Sequence, residues 1–170
     1  SVLWSEDDRI AVFEKSTLAD IYEVSESSAG SKSCTFDFVE SASEGFISGM
    51  DMEHTIAFYP YSDDVICLKG EGSGVYELKV VLPSVQNYSV SSFGQNALPM
   101  VAMTTTDGKR DLMFYNVCGA VRLQLKGSAK VESIVLNGHD NEYLSGDAVV
   151  TAYDDGSKPE IEMSGEASKK

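Results

Sequence analysis

The chain has 170 residues, 42% of them hydrophobic and 24% charged, the composition of a folded globular domain rather than of a disordered segment. Its 27 acidic residues outweigh 13 basic ones and give a net charge of −14, which repels nucleic acid and anionic membrane surfaces. Apolar stretches such as 80–82 and 101–103 fall far short of the roughly 20 residues a helix needs to cross a bilayer.

In chain order, short runs rich in β-branched and aromatic residues recur between clusters of Gly, Ser, Asn and Asp. Residues 9–14 are the first candidate strand. In 17–24, Leu18, Ile21 and Tyr22 fall at helical spacing behind Ser16 or Thr17 as a cap, which predicts a short helix. A polar loop over 25–32 leads to candidate strands at 33–40, 55–61, 65–68, 74–82, 98–104, 111–126, 131–137 and 148–153. Residues 157–170 are rich in Ser, Gly, Glu and Lys and read as a polar tail or a linker to a further domain. Residues 1–156 then form one β-sandwich domain.

Alternation sharpens this picture. Tyr76, Leu78, Val80 and Leu82 alternate with Val75, Glu77, Lys79 and Val81, and Val121, Leu123 and Leu125 alternate with Arg122, Gln124 and Lys126. Antiparallel strands with one face on a core behave this way, so an all-β, antiparallel two-sheet sandwich is expected. Its core would hold Ile10, Val12, Phe36, Phe38, Phe58, Leu78, Val80, Leu123, Leu125 and Ile134. Asp107–Gly108 and Asn137–Gly138 are candidate hairpin turns, and Asp155–Gly156 lies near the chain's end. Leu112, Phe114 and Cys118 share one parity while Val121, Leu123 and Leu125 have the other, which predicts a β-bulge at Gly119–Ala120.

The chemistry-bearing residues form no recognisable constellation. His54 and His139 lie in no nucleophile setting, there is no G-x-S-x-G elbow, and each histidine reads as a loop residue. Cys34, Cys67 and Cys118 are widely spaced, without a paired-Cys metal motif, and read as reduced small hydrophobes; a bridge between two of them stays open for an exported chain. The run from Gly70 to Gly74 lacks the Lys-Ser/Thr of a phosphate loop. Asp7–Asp8, Asp63–Asp64 and Asp154–Asp155 lack the ligand spacing of an EF-hand and read as solvated turns. Asn87-Tyr88-Ser89 matches a eukaryotic glycosylation acceptor by coincidence. No catalytic, cofactor-binding or metal-binding residue is assigned, and no cofactor is expected.

Several segments resemble, in order and spacing, those of fimbrillin-like proteins, the pilin and fimbrial adhesin subunits of Gram-negative gut and oral anaerobes. They are Trp4-x-x-x-Asp8-x-Ile10-x-Val12-Phe13, Ile56-Ala57-Phe58-Tyr59-Pro60-Tyr61, Leu82-Pro83-x-x-Gln86 and Met100-Val101-Ala102. Residues 112–127 and Val131-x-Ser133-Ile134-x-Leu136-x-Gly138 follow in the same manner. Asp7 and Ala11 depart from the pattern, standing where members often have glycine. The resemblance implies a transthyretin-like sandwich, export as a lipoprotein to the outer membrane surface, assembly with other pilin subunits by strand exchange, and no catalytic residues. It also implies that this chain is one module of a longer exported protein.

The expected function is therefore a non-catalytic fimbrial subunit or tip adhesin. A surface lipoprotein that binds a glycan or protein without polymerising is the alternative, with Trp4, Tyr88 and Phe93 as candidate groove residues. A hydrolase with carboxylates across a cleft is a third reading, supported by no motif.

Overall fold

The structure, a computed structural model, describes residues 3–14, 16–42, 53–89, 93–104, 111–140 and 142–164. Within these residues ten strands form two antiparallel sheets packed as a sandwich. The larger sheet runs, from edge to edge, β3 (Phe36–Ser41), β2 (Asp20–Val24), β1 (Arg9–Phe13), β4 (Ile56–Tyr59), β7 (Met100–Met103) and β8 (Tyr115–Asn116). The smaller is β10 (Glu160–Met163), β9 (Gly146–Tyr153), β6 (Val75–Leu82) and β5 (Ile66–Lys69).

The alternation of β6 has its expected effect. Tyr76, Leu78, Val80 and Leu82 face inward and pair across the ladder with Ala152, Val150, Ala148 and Gly146 of β9. A large side chain thus meets a smaller one at each step, which fills the layer without crowding it. Ala11, Phe13, Ile56, Phe58 and Val101 of the larger sheet close the core from the other side. The β5–β6 hairpin turns through Gly72 and Gly74, both at positive φ, and Gly156 supplies another positive φ between β9 and β10. Gly74 has a second reason to lack a side chain: a Cβ there would run into the carboxylate of Asp154.

The core differs from expectation in one respect that matters for function. Ile10 and Val12 do not join the inter-sheet core; they belong to a second apolar cluster with Ala57, Tyr59, Met100 and Ala102. Both faces of the larger sheet are therefore apolar at its centre, and β1 and β4 read as nearly continuous hydrophobic runs.

Several expected elements are corrected. Residues 17–24 form no helix: Asp20–Val24 is strand β2, paired with β1 and β3. Helical spacing over so few residues also fits a strand, and here Tyr22 sits beside Ile10 on one face and Ile21 beside Ala11 on the other. The polar tail contains strand β10, where Ile161 and Met163 pack against the core between exposed Glu160 and Glu162. Of 111–126 only Tyr115–Asn116 pairs as a strand, and 131–137 forms none. With no ladder through Gly119 there is no bulge at that site, although Cys118 is partly buried. Gly138 does not take the positive φ that a tight hairpin turn would need. Phe38, Leu123, Leu125 and Ile134 are exposed rather than core residues. Asp107–Gly108 lies outside the described residues.

Candidate interaction surfaces

The second face of the larger sheet carries an aromatic cluster centred on Trp4. Its backbone is fixed by two hydrogen bonds: the Trp4 N–H donates to the Ser31 carbonyl at 3.0 Å, and the Gly30 N–H donates to the Trp4 carbonyl at 2.8 Å. The indole then meets Phe36, Tyr59 and Phe114 edge to face, at centroid distances of 5.2, 5.3 and 5.3 Å. Edge-to-face geometry places positive ring edges on negative ring faces and adds to the stabilisation from burial. Phe36 opens β3 at one edge of the sheet and Phe114 leads into β8 at the other, so Trp4 draws both ends of the sheet together.

Beneath Trp4 lies a buried polar anchor. Tyr59 donates its hydroxyl to Asp8 Oδ1 at 2.8 Å, and the Ser5 N–H donates to Asp8 Oδ2 at 2.8 Å. Burial, reinforced by the Asp8 carboxylate, holds the Tyr59 phenol well above the ordinary tyrosine range. The motif residues Trp4, Asp8 and Tyr59, distant in sequence, thus form one packed unit. An open groove of about 1700 Å³ borders this cluster, lined by Trp4, Tyr22, Phe36 and Phe114 and, from the other sheet's β9–β10 segment, by Tyr153 and Pro159, with Glu14, Lys32 and Asp111 among its charged groups. Tyr88 and Phe93, expected to contribute to such a groove, are exposed between β6 and β7 and lie outside its lining.

The histidines separate. His139 is exposed, whereas His54 is buried just before β4, with Nε2 3.5 Å from Asp154 Oδ2 and its ring 6.4 Å from that of Tyr76. This contact ties the start of β4 in one sheet to the end of β9 in the other. Burial pushes the Cys67 thiol up to about 12. Burial and then the Asp8 charge raise that of Cys34 to about 11. Burial also raises that of Cys118. All three cysteines are free thiols that stay protonated at neutral pH. Among the described residues no three His, Cys, Asp or Glu side chains are grouped to hold a metal ion, and no helix is long and apolar enough to cross a membrane.

The remaining feature is an apolar arm whose alternation is that of a core strand. Among the described residues between β8 and β9 there is no regular strand pairing, and Val121, Leu123 and Leu125 are 70%, 50% and 61% exposed. Val131, Ile134, Val135 and Leu136 are exposed as well. Single exposed apolar residues are ordinary on protein surfaces, but so many within residues 121–136 mark a candidate contact surface. The sheet edges differ in how far they are covered. The Cys67 N–H of edge strand β5 donates to the Thr17 carbonyl at 3.1 Å, so the loop before β2 covers it. Among the described residues no strand pairs with the outer side of β3 or of β10.

No protein-family model matches the chain, no curated protein is significantly similar to it, and no solved structure matches its fold.

Proposed function

We propose that the chain is a non-catalytic module of a bacterial surface fibre, a fimbrial subunit or tip adhesin exported to the outer membrane surface. The observation that carries this reading is the exposed alternating arm after β8 in a sandwich whose β3 and β10 edges pair with no further strand among the described residues. A strand-like apolar segment and an unpaired edge are the two halves of a main-chain recognition system. The order of the Trp4, Tyr59, Leu82 and Met100 segments, which resembles that of fimbrillin-like proteins, supplies the biological setting.

The test is made in the native host with an antibody against this chain. Immunogold labelling of surface filaments, and recovery of the chain in fibres sheared from the cells, are the expected results. Labelling confined to the cytoplasm would overturn the proposal. The aromatic groove favours a second reading, a non-polymerising surface lipoprotein that binds a glycan or a protein, since sugar rings and apolar side chains both stack on exposed aromatic faces. Surface labelling without filaments would favour that reading.

A further inference from the structure

We infer that the arm at residues 121–126 adds as an antiparallel strand to the β10 edge of a second copy of this chain. This deepens the fibre-subunit reading by naming the partner and its contact surface. Charge is the first argument. From Leu112 to Val131 there is no acidic residue but there are three basic ones, Arg122, Lys126 and Lys130, in a chain whose net charge is −14. A cationic, apolar segment exposed on an anionic protein is complementary to another copy of that protein.

The second argument is the pattern of the edge. β10 reads Glu160-Ile161-Glu162-Met163, its glutamates exposed and its apolar side chains only partly covered against the core. Residues opposite one another in a ladder share a face. Pairing Leu125 with Ile161 and Leu123 with Met163 extends the apolar layer by one strand. The same register sets Lys126 opposite Glu160 and Arg122 diagonally from Glu162, so both faces match at once. Among the described strands the β3 edge is a poorer acceptor, because the β2–β3 register shifts between Ile21 and Tyr22 and breaks the pleat, and the β8 edge is only two residues long. Within one copy the arm stays exposed and begins at β8, in the sheet opposite the one that holds β10.

Sedimentation equilibrium at micromolar concentration tests this. The wild type is expected to self-associate, and both Glu160→Lys/Glu162→Lys and Arg122→Glu/Lys126→Glu to weaken association about tenfold or more, as like charges replace two cross-strand pairs. Mixing the two variants restores association, because the reversed charges match again. Circular dichroism checks that each variant keeps its β spectrum. Should a reversal unfold the chain, the neutral Glu160→Gln/Glu162→Gln and Arg122→Gln/Lys126→Gln variants take its place, with a smaller loss expected. A wild type that stays monomeric overturns the inference, whether the arm is covered by its own chain or awaits a different partner. So does association that neither double variant weakens. Either result leaves the surface location to be decided by the labelling experiment, and a cytoplasmic location would leave self-association standing.

Discussion

Strand β6 and the arm at 121–126 carry the same sequence pattern, large apolar residues alternating with polar or charged ones, and end in opposite situations. In β6, Leu78 is fully buried between β5 and β9 and faces Val150; in the arm, Leu123 is half exposed and pairs with nothing among the described residues. Alternation specifies which face of a strand wants burial but not that a partner is present. β6 has a neighbour on each side, one delivered by the glycine hairpin from β5 and one by β9. The arm leaves a sheet edge through a β8 of only two residues.

The largest expected difference between the two regions is in stability. Leu78→Ala should cost about 2–5 kcal/mol, whereas Leu123→Ala in the dilute monomer should fall within about 0.5 kcal/mol of wild type. Urea denaturation of both variants checks this, and equal losses would break the contrast. Next comes the anchor below Trp4. Tyr59→Phe removes the hydroxyl that donates to the buried Asp8 carboxylate and should cost about 1–3 kcal/mol, read from the same denaturation curves.

Glycines supply a smaller pair. Gly74→Ala should lose about 1–2 kcal/mol, since the residue has a φ of +72 and its new Cβ would displace Asp154. Gly119→Ala, just before the arm, meets nothing within 4 Å and should be nearly neutral by thermal denaturation.

The smallest expected effect is a slope with pH. Cys67 binds its proton more tightly when folded, its pKa rising from 9.0 to about 12. The folded chain therefore holds a proton that the unfolded chain has lost, and stability is full below pH 9 and falls as pH rises toward 12. Cys67→Ala should remove one proton's share of that alkaline slope in the urea midpoint. An unchanged slope would show that the thiol is open to solvent.

Legibility in the sequence followed local pairing. The strands around Ile10, Phe58, Leu78 and Val150 could be read because hairpins or direct neighbours complete them, so their local pattern and their environment agree. β2 reads as helix in the sequence because Leu18, Ile21 and Tyr22 fall at helical spacing, whereas in the sheet Ile21 and Tyr22 point to opposite faces, both apolar at the sheet's centre. β10 was hidden by its glutamates, whose alternation with Ile161 and Met163 is only four residues long. The Trp4 cluster could be suspected from its aromatic residues, but its assembly from Phe36, Tyr59 and Phe114 depends on how far the larger sheet brings its edges together. No local pattern encodes that. The arm departs from its pattern for the opposite reason: the pattern is that of a core strand, and only the topology reveals that no described strand pairs with it.

Residue-resolved amide hydrogen exchange on the dilute, monomeric chain tests this contrast most directly. The account predicts strong protection through β6 and β9 and exchange at nearly unprotected rates through 121–126, because the arm pairs with no strand among the described residues. Protection of 121–126 as strong as that of β6 under those conditions would contradict it, since the arm would then be a strand of its own sandwich.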